Sequence, residues 1–290
     1  MTTETSYLDR PGGRLAYSRH EPSTDTPAAL RPTAGDEAPL VVLSPGMGDL
    51  RGVFRDVVGP LVTEGFRVVT VDLRGHGESD TTFDRYDVPT IAGDLEALVE
   101  HLGGPVALVG HSVSAGAAAV VAARRPDLVR SLVLISPHLT AAGAVMTAVS
   151  RLMTQAIRRP VGAPFWTAYY RSLHRGRRAP WFAEHVDAVR TSMRDGAHLV
   201  AFGRLARALV TTHTTIPLDR VVAPTLVVHG ALDPEFRDPA AELATALAGL
   251  EGSAASVDGL LVPEAGHYAQ TQRPDVVVPA LLAHLAPARA

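Results

Sequence analysis

The chain has 290 residues, 46% of them hydrophobic and 20% charged, which is the make-up of a globular protein with a large buried core. All 27 basic residues are Arg, and Lys, Cys and Asn do not occur. That excludes lysine Schiff bases, phosphate-loop lysines, thiol nucleophiles, disulfides and cysteine-held metals, and a formal net charge of -3 favours neither nucleic acid nor an anionic membrane as partner.

The N-terminal stretch up to Gly13 is polar and has no apolar segment of the secretory kind. The longest run of small apolar residues, 115–123, is too short to cross a bilayer, so a cytoplasmic protein is expected. After an N-terminal hairpin, residues 20–38 are rich in Pro, Thr, Asp and Glu without periodicity, which predicts a surface loop. Short apolar runs at 40–43, 68–71, 106–109, 132–135 and 225–228, bounded by Gly, Pro or Ser, predict buried parallel strands. Helical spacing lies between them at 53–63, 90–102 and 113–124, the last of these rich in Ala. Strand alternating with helix predicts an α/β fold with a mostly parallel, doubly wound sheet.

Residues 138–222 interrupt this rhythm. They predict four helices, at 141–157, 164–173, 181–194 and 199–209, and they hold seven of the fifteen aromatics. Phe165, Trp166, Tyr169, Trp181 and Phe202 are the candidates for lining an apolar pocket, set against the alternative that they only glue the helices together. The segment has twelve Arg against four acids, but Arg is the only cation in this composition, so these charges are expected first of all on a solvated face. The expected division is a core in two parts, 1–137 and 223–290, with a helical lid at 138–222 inserted after the sixth strand.

Gly110-His111-Ser112-Val113-Ser114 sits at a predicted strand–turn–helix junction. A nucleophile on such a turn needs small neighbours, because a side chain there would collide with the preceding strand or the following helix. Gly110 meets that need in front, while Ser114 stands behind where Gly would serve. The run resembles the nucleophile turn of the α/β-hydrolase superfamily, in its serine hydrolase branch of esterases and lipases. It looks like the elbow of the small bacterial and plant hydrolases that include the stress-signalling RsbQ and the strigolactone and karrikin receptors, which also carry four-helix lids. The resemblance extends over nearly the whole chain.

A serine hydroxyl needs an imidazole to take its proton, and the imidazole needs a carboxylate to orient it. The superfamily's chain order, Ser then acid then His, is matched by Ser112, by Asp233 in the turn after the 225–228 strand, and by His267 in Pro263-Glu264-Ala265-Gly266-His267. Of the twelve histidines, His267 alone combines a late position, a loop after a strand and a preceding Gly; Glu235 and Asp238 compete with Asp233. Oxyanion donors are expected at the N–H of Val113 and, in Ser44-Pro45-Gly46-Met47-Gly48, at that of Met47, where Pro45 replaces the family's His and with it one hydrogen-bonding side chain. The loop from Asp72 to Ser79 resembles a recurrent structural turn of the superfamily and adds no catalytic group.

No spacing of His and carboxylates suggests a metal site, no dinucleotide fingerprint follows a strand, and the implied mechanism requires neither cofactor nor metal. The resemblance implies a serine hydrolase of carboxylic esters, with lactones or thioesters as alternatives, acting on a small to medium apolar substrate. Its alternatives are a slow-turnover signalling or ligand-binding protein and a non-hydrolytic activity, such as a lyase, perhydrolase or tailoring enzyme, on the same site. The tyrosine pair Tyr169-Tyr170 invites comparison with epoxide hydrolases, but those use Asp as nucleophile where this chain has Ser112.

Overall fold

The computed structural model describes residues 4–22, 38–139, 157, 160–211 and 214–286. Eight strands form one sheet: β1 (Thr5–Arg10), β2 (Gly13–His20), β3 (Leu40–Ser44), β4 (Arg67–Val71), β5 (Val106–His111), β6 (Val129–Ile135), β7 (Thr225–Gly230) and β8 (Val257–Val262). They lie in the order β1-β2-β4-β3-β5-β6-β7-β8. The β1–β2 and β2–β4 pairs are antiparallel and the others parallel. The order reverses between β3 and β5, and open α/β sheets present their ligand crevice at the carboxyl ends of strands on either side of such a switch. Here Ser44 pairs with Gly110, so the loop leaving β3 and the turn leaving β5 start side by side.

The helices are α1 (Arg55–Thr63), α2 (Val88–His101), α3 (Val113–Arg124), α4 (Gly162–Leu173), α5 (Phe182–Arg194), α6 (Gly196–Thr211), α7 (Pro239–Leu250), α8 (Ala269–Gln272) and α9 (Pro274–Leu285). The helix predicted at 53–63 is a 3₁₀ turn, Arg51–Phe54, running into α1. The α2 helix starts two residues before the predicted 90 because Asp87 caps it: its Oδ1 accepts from Thr90 N at 2.9 Å, and Thr90 Oγ1 accepts from Asp87 N at 3.0 Å. The predicted helix 141–157 and most of the 20–38 loop fall outside the described residues.

Alternate residues of the buried strands serve two cores. Val42 and Leu108 face one with α2 and α3, while Val41, Leu43 and Val109 face the other with α1 and α9. Trp166, Tyr170 and Phe202 of the helices between β6 and β7 belong to this second core, so those helices are packed onto the sheet. All described Arg residues of the insertion lie exposed except half-buried Arg190, in keeping with a solvated face. In the Asp72–Ser79 loop, Gly75 and Gly77 have positive φ, and buried Asp72 accepts from the backbone N–H of Arg51 at 2.7 Å and of Glu78 at 3.1 Å, the structural turn expected. No described helix is long and apolar enough to cross a membrane.

Candidate active site

Ser112 occupies the turn between β5 and α3 with φ 55 and ψ -120, a conformation that L-residues adopt only under constraint from their surroundings. A Cβ at Gly110 would lie 2.4 Å from Ser114 O, which is why the position in front of the turn must be glycine. Ser112 N donates to Ile135 O at 2.9 Å, tying the turn to the end of β6. Val113 begins α3, where its own N–H precedes every helical acceptor and the positive end of the helix dipole faces the nucleophile.

The loop after β3 lies directly against this turn. A Cβ on Gly46 would sit 2.9 Å from His111 Nδ1 and 3.1 Å from the Ser112 Cβ. Ser114 joins the two: its Oγ donates to Pro45 O at 2.5 Å and accepts from Ser44 Oγ at 3.0 Å. The serine behind the nucleophile thus steadies the loop whose family His is replaced by Pro45, a role the sequence alone did not disclose. Met47 is half-buried in that loop.

His267 Nδ1 donates to Asp233 Oδ2 at 2.7 Å, both residues being almost wholly buried. The competing Asp238 is spent elsewhere, capping α7 through Ala240 N and Ala241 N. Glu235, the other competitor, has a place the sequence reading missed. Its Oε2 lies 3.2 Å from His267 Nε2 and 2.7 Å from His138 Nε2, and its Oε1 accepts from Tyr169 OH at 2.7 Å. The imidazole is therefore held between two carboxylates, and among the described residues the partner of its Nε2 is Glu235 rather than Ser112. A second carboxylate two residues after Asp233 was the one sequence signal that pointed here.

Burial alone would lower the His267 pKa, but the Asp233 and Glu235 carboxylates outweigh it and raise it to about 9. Burial likewise opposes ionisation of Asp233 and Glu235, yet His267, joined for Glu235 by His138, holds both below the usual carboxylate range. His111, behind the turn, is lowered to about 3 by burial and by the nearby His267; its Nε2 donates to the His267 carbonyl at 3.0 Å.

The inserted helices meet the β3 loop through buried polar groups. Trp166 Nε1 donates to Gly48 O at 2.9 Å. Asp49, fully buried, accepts from His185 Nε2 at 2.6 Å, Tyr170 OH at 3.2 Å and Leu50 N at 2.7 Å. Of the five aromatics singled out, Trp166, Tyr169 and Phe202 form one group, with Trp166 ring centroids 5.5 Å from Tyr169 and 4.6 Å from Phe202. Phe165 is half-buried on the same helix. Trp181 does not join them: its Nε1 donates to Asp56 Oδ2 at 2.9 Å and Arg55 covers its ring at 4.5 Å, so it fastens α5 to α1. The sequence could not separate these roles because helix periodicity marks the buried stripe and not what the stripe faces.

Residues 39–274 match the family of the alpha/beta hydrolase fold, and the chain belongs to that family. Over 103 residues it is 43% identical to the bifunctional esterase/perhydrolase DCH of Acinetobacter calcoaceticus, a stretch that is 35% of this chain and 33% of that protein. Over 137 residues it is 35% identical to a soluble epoxide hydrolase of Corynebacterium sp. (strain C12), 46% of this chain and 47% of the relative. The chain thus matches less than half the length of either relative. A thermophilic esterase from Thermogutta terrifontis superposes with a TM-score of 0.77 over 99% of this chain and 100% of the esterase at 21% identity, a likeness of fold.

Proposed function

We propose that the protein is a cofactor-independent serine hydrolase that cleaves carboxylic esters, lactones and thioesters included, of small to medium apolar substrates. The observation that carries this reading is the Asp233–His267 pair, 2.7 Å apart, beside a strained Ser112 at the head of α3. Ser112 Oγ attacks the acyl carbon as His267 Nε2 takes its proton, and Asp233 holds the ring so that Nε2 faces the reaction and stabilises the imidazolium formed. The backbone N–H groups of Met47 and Val113 receive the oxyanion. His267 then returns the proton to the leaving alcohol or thiol, and water, activated by the same ring, releases the acid. The described helices of the insertion act as a lid, with Trp166, Tyr169 and Phe202 as its apolar wall toward the substrate.

Glu235 must give way from Nε2 before Ser112 can use it. That arrangement also favours a second reading, a ligand-binding protein that turns over slowly, since a base kept protonated between two carboxylates is a poor one near neutral pH. Steady-state hydrolysis of p-nitrophenyl acetate and butyrate by the wild type and by Ser112→Ala separates the two. The esterase reading expects a loss of about four to six orders of magnitude in kcat. Equal nitrophenol release by both proteins sinks it, and the second reading then stands if a short apolar ester still raises the Tm.

A further inference from the structure

We propose that His138, Glu235 and His267 bind a zinc-type transition-metal dication, and that the bound ion silences the serine site by occupying His267 Nε2. The silencing rests on the serine hydrolase reading; the binding does not.

His138, Glu235 and His267 each offer one donor atom, and these three atoms lie within 4.8 Å of one another. Two of the separations are 2.7 Å and 3.2 Å, from Glu235 Oε2 to His138 and to His267. Zinc with bonds of about 2.0–2.2 Å holds tetrahedral ligands roughly 3.3–3.5 Å apart, so the ion enters by shifts of about an ångström. Two imidazoles and one carboxylate leave the fourth position to water. They suit zinc, cobalt, nickel or copper, whereas magnesium and calcium require more oxygen ligands.

Bare proximity of three polar groups would be a weak argument, and the surroundings strengthen it. Ligands in metal sites are held by outer partners, and here His267 and Glu235 each have one. Asp233 Oδ2 accepts a hydrogen bond from His267 Nδ1–H at 2.7 Å, which leaves Nε2 as the coordinating nitrogen. Tyr169 OH binds Glu235 Oε1 at 2.7 Å and turns Oε2 toward both imidazoles. The Glu235 backbone N–H donates to Asp233 Oδ1 at 3.0 Å, fixing the turn. The Phe236 ring lies against His138 with centroids 5.0 Å apart. His138, its side chain 43% exposed, gives the ion a way in from solvent. The ligands come from the loops after β6, β7 and β8, which is why no sequence spacing announces them.

Binding forms two metal–nitrogen bonds and one metal–oxygen bond; the Nε2 proton of His267 leaves to solvent, and the proton that His138 Nε2 directs at Glu235 is exchanged through solvent onto its own Nδ1. With its lone pair on the metal, Nε2 cannot accept the Ser112 proton.

The test titrates the full chain, first stripped with a chelator, with Co2+ followed by visible absorption and calorimetry, and with Zn2+ followed by p-nitrophenyl acetate hydrolysis. The proposal expects one equivalent of Co2+ to give the intense visible bands of tetrahedral coordination, displaced by Zn2+. Zn2+ should inhibit at the concentration at which it displaces Co2+, while millimolar Mg2+ and Ca2+ do neither. His138→Ala, at a half-exposed position, and Glu235→Gln, which keeps an acceptor for Tyr169, should each weaken Co2+ and Zn2+ binding at least tenfold. Absence of the bands, or binding unchanged in His138→Ala with its Tm retained, overturns the site. Metal-dependent bands in a protein that cleaves no ester even when stripped keep the site and discard the hydrolase reading. Bands with undiminished ester turnover overturn the silencing.

Discussion

The loops at the carboxyl ends of β3, β5, β7 and β8 and the helices inserted between β6 and β7 converge on one site, but they are held there by different forces. The loops are fixed by backbone and by steric closeness. Ser112 is pinned in a strained conformation by its N–H to Ile135 O, Gly46 lies too close to His111 and Ser112 to carry a side chain, and Ser114 stitches the two turns together. The helices are fixed by side chains: Trp166 to Gly48, Tyr170 and His185 to Asp49, Tyr169 to Glu235. A backbone-built region survives the loss of a single side chain, whereas one built on single side-chain contacts does not. Substitutions at those contacts should therefore loosen the helices before they disturb the Ser112 turn.

Removing a proton-handling group from the loops gives the largest effect. Asp233→Asn leaves the space filled but cannot hold the neutral ring in the tautomer that presents a free Nε2, so kcat for p-nitrophenyl acetate should fall by about 10⁴-fold. A fall of tenfold or less would mean that Glu235 can replace Asp233 as the orienting acid.

Breaking the helix attachment acts on stability first. Asp49→Ala strips the acceptor from His185, Tyr170 and Leu50 N at once, in a place water cannot reach. Unpaired buried donors cost about 1–3 kcal/mol each, so urea denaturation should show a loss of about 3 kcal/mol or more, with Asp49→Asn recovering part of it. Ester turnover should fall as well, because Asp49 follows the Gly46–Gly48 loop directly. Unchanged stability would mean that side-chain contacts do not hold the helices.

Much of this architecture was legible in the sequence, and the boundary of legibility is physical. The parallel strands were readable because strands buried on both faces carry unbroken apolar runs, as 40–43 and 226–228 are. The Ser112 turn was readable because the junction of a strand and a helix leaves a local mark in Gly110. The pairing of Asp233 with His267 agreed with chain order. Contacts between distant segments left no local mark. Glu235 on His267, His138 beside it, Asp49 under two helices and Trp181 on Asp56 join residues from separate loops, and no periodicity in the chain encodes which pairs meet.

Acid should act on both regions. His76 and His174 lie where the inserted helices meet the core, and His111 and His229 under the loops; burial lowers His111 to about 3 and the other three to about 4. A histidine whose folded pKa lies below its ordinary 6.5 is matched by an unfolded chain that binds protons first. Its contribution is whole above pH 6.5 and is lost as pH falls toward 4. Each ring at its limit is worth on the order of 3 kcal/mol, and a domain has only about 5–15 kcal/mol in all, so two or three protonations suffice to unfold it. Tm should drop steeply between pH 6.5 and 4.5. If near-ultraviolet circular dichroism of the tryptophans, Trp166 and Trp181, changes before far-ultraviolet signal, the helices detach ahead of the sheet; simultaneous loss would mean that the two regions are one cooperative unit.

The smallest effect is the sharpest probe of where the regions touch, the Tyr169–Glu235–His267 contact. His267 runs the opposite way to the other histidines. Its folded pKa of about 9 is above the ordinary 6.5, so its ion pairs stabilise the fold fully below pH 6.5 and that stabilisation fades as pH rises through about 9. Catalysis needs the neutral ring, so kcat/KM measured in chelated buffer should climb with pH toward a midpoint near 9. Glu235→Gln removes one of the two carboxylates while keeping a partner for Tyr169 OH. The midpoint should move down by about one pH unit, and activity at pH 7 should rise about tenfold. The direction is diagnostic, because loss of a catalytic acid or base lowers the rate, while loss of a carboxylate that only holds the proton on Nε2 raises it. A midpoint that stays near 9 in Glu235→Gln would show that Asp233 alone sets the charge of His267, and that Glu235 swings clear of the ring in solution.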